Sequence, residues 1–251
     1  MDYKALIFDL DGTAIPNQLE GLPTKRVIRA ISEAKKHLKV CAATGRPISN
    51  SHHLLEMLNL ESPCVISGGT RIVNPKTKEI LWEKKLSEEQ VYKIIDICKP
   101  YHYPIFLSDE LESRPAKLQE VKGSEYILYV EPIPIDDVPD ILKKLDTIPN
   151  LAIHEATSWT KDHIDLHITH ADATKKHAIE VLLKMLDVKK EEVIGVGDSD
   201  NDLPLFASVG YKVAMGNATE RLKQEADYVA SSVDEDGLVA VIEKFILPTL
   251  P

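Results

Sequence analysis

Cysteine is scarce: Cys41, Cys64 and Cys98 are the only three in 251 residues. Their odd number, apolar surroundings and lack of CxxC spacing exclude a disulfide framework and predict buried free thiols in a reducing cytoplasm. Long apolar runs are missing as well. None approaches the roughly 20 residues that span a bilayer, so no membrane helix is expected. The opening MDYKALIFDLDG places Asp2, Asp9 and Asp11 where a signal peptide needs an unbroken apolar stretch. A cytoplasmic location follows as the expectation. There is no block of Lys or Arg, and the net charge is −10. A phosphate polymer needs a basic face, so nucleic acid is not an expected partner. Repeats and low-complexity segments are absent, and 43% hydrophobic residues are too many for a disordered chain.

What is there reads as two textures. Ala5-Leu6-Ile7-Phe8 is a short apolar run ending at Asp9, Asp11 and Gly12, as expected of a strand buried on both faces. Thr24–His37 follows as an amphipathic helix, Lys39–Ala43 as a strand, Pro47–Leu60 as a helix and Pro63–Ile66 as a strand. That alternation predicts a parallel sheet with helices on its faces. A hairpin is expected next, Arg71–Val73 and Glu79–Trp82 around Asn74-Pro75-Lys76-Thr77. Seven of the 15 prolines then fall between Pro100 and Pro149. In this region the spacing predicts helices at Glu88–Lys99 and Asp136–Leu145. Strands are expected near Ile105–Ser108, Tyr126–Glu131, Leu151–Ala156 and Ile164–Ile168, an αββαββ order. From Thr174 the first rhythm returns: helix Thr174–Leu186, strand Val193–Val196, helix Leu203–Ser208, strand Tyr211–Ala214 and a helix near Leu238–Phe245. The expected fold is thus an α/β, doubly wound parallel-sheet core, residues 1–82 and 166–251, split by an α+β insert at 83–165. The insert is the acidic part, holding 17 of the 40 acids and 10 of the 30 bases.

Four short stretches carry chemistry. Asp9-Leu10-Asp11-Gly12-Thr13 puts two carboxylates at the C-terminal end of the first strand, the edge at which open α/β sheets bind ligands. Like charges that close call for a cation. Gly197-Asp198-Ser199-Asp200-Asn201-Asp202 is a second acidic loop after an apolar strand. It is not a calcium-binding EF-hand loop: Leu203 stands where Gly is needed at position six, and Val209 where a bidentate Glu is needed at position twelve. Two such loops in one parallel sheet can converge on one hard cation, Mg²⁺ being the expected one. Thr44-Gly45-Arg46, just before Pro47 at a helix start, offers a hydroxyl and backbone N–H groups to an anion. Lys175 opens the helix after the insert, where the dipole disfavours a cation unless it reaches an anion.

Together, DLDGT at 9–13, Thr44-Gly45-Arg46, Lys175 and GDSDND at 197–202 resemble, in order and spacing, the four motifs of the haloacid dehalogenase (HAD) superfamily of aspartyl-phosphate phosphatases. The resemblance covers the whole chain. The αββαββ insert is similar to the type IIB cap of the Cof-like branch, and the core would be the Rossmann-like HAD core. The resemblance implies Asp9 as nucleophile and Asp11 as general acid/base. It implies Mg²⁺ held by Asp9, Asp198 and the carbonyl of Asp11, with Asp202 supporting. It implies a phosphoryl group held by Thr44, Gly45, Lys175 and Asn201. Two positions depart from the pattern. Ser67-Gly68-Gly69-Thr70 stands where relatives often have Asn-Gly-Ala, and Lys176 replaces a common Gly.

The expected reaction is hydrolysis of a small phosphorylated metabolite, of sugar phosphate or phosphoglycolate type. Asp9 would attack phosphorus, and Asp11 would protonate the leaving oxygen and then activate water. A phosphomutase would differ by retaining the phosphoenzyme and requiring a bisphosphate. A non-catalytic binding protein would differ by showing no turnover. In this architecture the insert would meet the part of the substrate that is not phosphate. His154, Trp159, Lys161 and His163, in or near its last strand pair, are candidates, and its acidity argues against large polyanions. The oligomeric state is left open.

Overall fold

The structure, a computed structural model, describes residues 3–18, 20–108, 113–115 and 127–247. Its element order begins β1 (Ala5–Phe8), α1 (Lys25–Ala34), β2 (Lys39–Ala42), α2 (Ile48–Met57), β3 (Cys64–Ile66), β4 (Arg71–Val73) and β5 (Ile80–Glu83). It continues α3 (Glu88–Cys98), β6 (Ile105–Ser108), β7 (Ser113–Pro115), β8 (Ile127–Pro134), α4 (Val138–Leu145), β9 (Leu151–Thr157) and β10 (His163–His170). It closes α5 (Lys175–Leu186), β11 (Val193–Gly197), α6 (Leu203–Ala207), β12 (Tyr211–Ala214), α7 (Glu220–Gln224), β13 (Tyr228–Val229) and α8 (Gly237–Phe245).

β1 has no polar side chain and is fully buried because it lies inside a sheet ordered β13-β12-β11-β1-β2, paired in parallel with β11 and β2. Its residues alternate between two apolar layers. Leu6 and Phe8 pack with α1, α2 and α8, while Ala5 and Ile7 pack with α5, α6 and α7. A strand covered on both faces can be apolar at every position, which is why it reads as a run and not as an alternation. Helix α1 starts where the Thr24 hydroxyl accepts the Val27 N–H at 3.2 Å, and it buries Val27, Ala30, Ile31 and Ala34.

The chain divides into two compact units, Met1–Trp82 with Lys175–Pro251, and Glu83–Thr174. The expected insert end at 165 is therefore too early. β10 keeps pairing with β9 as far as His170, opposite Leu151, so residues 166–174 go with the insert. The second unit is a five-stranded antiparallel sheet, β7-β6-β8-β10-β9, with α3 and α4 sharing its apolar core. Its order is αβββαββ, since β7 adds a strand to the expected pattern. Tyr126, expected to open β8, lies outside the described residues.

In the first unit β3 does not join the main ladder. It meets Ala43, the residue after β2, through one parallel bridge from Val65, and pairs antiparallel with β4. The reason is the reversal that follows at once: Ser67, Gly68 and Gly69 all have positive φ. α7 and β13 add two short elements to the expected order, of five and two residues. The three cysteines are free and buried, as expected. Among the described residues no helix is long and apolar enough to cross a membrane.

Phe8 is among the largest fully buried side chains. Phe8→Ala should lower unfolding free energy by about 3–5 kcal/mol. Urea denaturation would measure it, and a loss below about 1 kcal/mol would contradict the packing described here.

Candidate active site

The parallel register brings the two acidic loops together. Phe8 lies opposite Val196, so β1 and β11 end at the same sheet edge, each one residue before an aspartate, Asp9 and Asp198. The Asp9 N–H donates to the Val196 carbonyl at 3.0 Å, which continues the ladder into the loop. Asp9, Asp198 and Asp202 offer carboxylate oxygens within 4.8 Å of one another, and all three are buried.

Two glycines make the approach possible. Gly12 has φ +73°, and a Cβ there would lie 2.2 Å from Asp198 Oδ2. At Gly197 a Cβ would lie 2.6 Å from the Asp202 side chain. The loops are tied by further bonds. The Thr13 hydroxyl donates to Asp198 Oδ1 at 3.3 Å, and Asp202 Oδ2 accepts the N–H groups of Asp198 and Ser199.

Lys175, the first residue of α5, is 6% exposed and answers the position that looked unfavourable in the sequence. Its Nζ donates to Asp9 Oδ1 at 2.9 Å and to Asp202 Oδ1 at 2.6 Å. Burial disfavours its charge, but the two carboxylates outweigh that and raise its pKa. Helix α5 anchors the lysine by burying Ala178, Ile179, Leu182 and Leu183 in the adjoining layer.

One ammonium cannot balance three carboxylates. Burial raises Asp9 to about 8, because Lys175 is shared with Asp202 while Asp202 and Asp198 repel. Burial, with repulsion from Asp202, raises Asp198 to about 7. With all three acids ionised against Lys175, two negative charges remain, the charge that one divalent cation cancels. An all-oxygen donor set suits a hard cation such as Mg²⁺. The residues present therefore fit the metal that the motifs imply.

The other candidates divide. Thr44 is fully buried beside this edge, its hydroxyl accepting the Arg46 N–H at 3.1 Å and its carbonyl accepting the Gly68 N–H. Gly45 is exposed, with open space where a Cβ would stand, and Pro47 is the cap of α2, one residue ahead of the helix. Asn201 is exposed and accepts the Ser199 hydroxyl, outside the buried cluster. Lys176 is exposed and 3.8 Å from Glu180, a solvated pair on α5.

Asp11 brings a residue that the sequence left without a role. Its carboxylate is gripped by Arg46, whose Nε donates to Oδ2 at 2.8 Å and whose Nη2 donates to Oδ1. This forked pair raises the Arg46 pKa, chiefly through the hydrogen bond. Arg46 was visible as the end of Thr44-Gly45-Arg46, but a lone Arg after a strand names no partner. Asn217 gave no signal. It donates to the Gly12 carbonyl at 2.9 Å and accepts the Val233 N–H, pinning the first acidic loop to the C-terminal segment.

A family model of haloacid dehalogenase-like hydrolases matches residues 6–120 and 116–242. A 5-amino-6-(5-phospho-D-ribitylamino)uracil phosphatase of Bacillus subtilis is 25% identical over 250 residues, covering 98% of this chain and 97% of its own. A phosphoglycolate phosphatase of Methanothermobacter thermautotrophicus is 25% identical over 245 residues, covering 97% and 99%. Among solved structures, a HAD subclass IIB sugar phosphatase superposes with a TM-score of 0.76 at 23% identity, covering 96% and 98%.

The raised acids have a consequence for metal-free protein. Asp9 and Asp198 hold protons in the folded state that the unfolded chain, with carboxylates near 3.8, has released. Between about pH 4 and 8 the folded state thus binds more protons, and their contribution to stability falls as pH rises. In EDTA the melting temperature should drop from pH 5 to 8, and Asp9→Asn with Asp198→Asn should flatten the drop. Melting curves across that range check it; no difference between variant and wild-type slopes would refute it.

Proposed function

This chain belongs to the haloacid dehalogenase-like hydrolases and is an enzyme of their phosphatase branch, and we propose that it hydrolyses small phosphorylated metabolites with Mg²⁺ through an aspartyl-phosphate. The observation that carries the reading is the buried Asp9–Lys175–Asp202 cluster with Asp198 beside it, which with all three acids ionised holds two uncompensated negative charges. Asp9 and Asp198 are the side chains that would hold the ion, together with the Asp11 carbonyl. Asp202, whose oxygens already serve Lys175 and two backbone N–H groups, orients that set. Bound there, Mg²⁺ supplies charge neutralisation for the transferring phosphoryl oxygens.

The remaining chemistry belongs to the chain. Asp9 attacks phosphorus, the ester P–O bond breaks, and the leaving oxygen takes a proton from Asp11. Lys175 and Thr44 donate to the phosphoryl oxygens, with the Gly45 backbone N–H beside them. Water then hydrolyses the phospho-Asp9 and gives its proton to Asp11. Arg46 holds the Asp11 side chain in place through its two hydrogen bonds. Asp11 must leave Arg46 and carry a proton to act as acid, so Arg46 is a positioning residue. The core and insert read as a catalytic unit and a cap. Three buried free thiols suit a reducing cytoplasm.

The direct test is phosphate release from p-nitrophenyl phosphate and a metabolite-ester panel, with Mg²⁺ and with EDTA. Asp9→Asn should fold and retain less than about 1% of turnover, as for groups acting as a unit. Turnover unaffected by EDTA or by Asp9→Asn would overturn the proposal. Asp11→Asn should slow sugar phosphates by about 10²–10⁴, the usual worth of a general acid. The same variant should slow p-nitrophenyl phosphate less, because a phenolate leaves unaided. Equal slowing, with burst kinetics showing that phosphoenzyme formation limits the rate, would remove Asp11 from the acid role.

A further inference from the structure

A loop that the proposed chemistry does not use joins the two acidic ones. It runs from Met215 to Thr219, between β12 and α7. Its Met215 N–H donates to the Gly197 carbonyl at 2.9 Å, and its Thr219 N–H to the Asp198 carbonyl at 2.9 Å. The Thr219 hydroxyl donates to Asp200 Oδ1 at 2.6 Å. The second acidic loop is thus held at three points.

The same loop reaches the first acidic loop through one side chain. Asn217 Nδ2 donates to the Gly12 carbonyl at 2.9 Å. Its Oδ1 accepts the Val233 N–H at 2.8 Å, and the Gly216 N–H donates to the Ser231 carbonyl at 3.1 Å. The segment ahead of α8 therefore anchors the loop that ties the other two.

Gly12 is where such a tie has most effect. Its φ of +73° and the 2.2 Å between a Cβ there and Asp198 Oδ2 demand glycine, the residue with most backbone freedom to lose. The two peptides that flank it are fixed from different sides. The Asp11–Gly12 peptide gives its N–H to the Ile15 carbonyl at 2.8 Å, within the loop. Being trans, it turns the Asp11 carbonyl the opposite way. The Gly12–Thr13 peptide presents its carbonyl to Asn217, outside the loop. The groups assigned to the cation, Asp9, the Asp11 carbonyl and Asp198, come from two loops, so their spacing depends on what joins those loops. Mg²⁺ demands near-ideal geometry, whereas Ca²⁺ accepts a larger and looser shell.

We propose that Asn217 is a positioning residue for the metal site. By holding the Gly12 carbonyl it fixes the first acidic loop against the second and raises the preference for Mg²⁺ relative to Ca²⁺. The inference rests on the reading in which Asp9, Asp198 and the Asp11 carbonyl hold Mg²⁺. Asn217 acts through Gly12 and is not itself a ligand.

Calorimetric titration of the metal-free whole protein with Mg²⁺ and with Ca²⁺, without substrate, tests it. Asn217 is exposed, so its replacement leaves the core intact. Asn217→Ala should weaken Mg²⁺ binding by about tenfold or more, and Ca²⁺ binding by no more than about threefold. Asn217→Asp keeps an acceptor for the Val233 N–H but offers no donor to Gly12, and should shift the ratio of the two affinities the same way. Its added charge attracts both divalent ions, so the ratio is the quantity to read. Ile31→Ala, a cavity in the buried face of α1, should lower the melting temperature and leave the ratio unchanged. No Mg²⁺ binding by the wild type would remove the metal reading and this inference together. Mg²⁺ binding by the wild type with an unchanged ratio in Asn217→Ala would overturn this inference alone. So would a wild-type ratio in Asn217→Asp, which would leave the Val233 bond as the cause. An equal shift in Ile31→Ala would also overturn it, because the ratio would then merely follow stability.

Discussion

Three buried carboxylates share a single lysine, and the rest of the catalytic unit is arranged to tolerate that. Asp9, Asp198 and Asp202 could not be collected at one sheet edge without Lys175 reaching two of them. Burying unpaired charge is costly, and here the pairing is left incomplete. The imbalance shows as acids that hold protons near neutral pH. A site built this way favours an added positive charge.

Around that cluster, rigidity comes from the ordinary parts of an α/β sheet. β1 and β11 are buried on both faces and carry their loops to the same edge in fixed register. α5 fixes Lys175 by burying Ala178, Ile179, Leu182 and Leu183 in the layer on one face of the sheet. Gly12 and Gly197 remove the side chains that would keep the loops apart. Asn217 joins the first loop to the last part of the chain, so the site draws on residues more than 200 positions apart.

The insert obeys a different logic. Among the described residues α3 and α4 pack on one side of its antiparallel sheet, and alternation along the strands turns the aliphatic side chains toward them. The catalytic unit is built to attract positive charge to a point.

The sequence by itself determined the class of fold, because runs such as Ala5–Phe8 and Val193–Gly197 are apolar at every position only when helices cover both faces. It determined the motif residues too, since Asp9, Asp11, Thr44, Lys175, Asp198 and Asp202 sit at strand or helix ends that local pattern reveals. The tertiary structure decided what those residues touch. That Lys175 bridges Asp9 and Asp202, that Arg46 takes Asp11, and that Asn201 stays outside the buried cluster are matters of long-range register and packing. The same holds for the end of the insert at Thr174 and for the extra strand β7, which depend on pairing between strands and leave no local period. Local pattern is set by neighbours three or four residues away. Partners across a sheet are set by the free energy of the whole core, and no single segment carries that information.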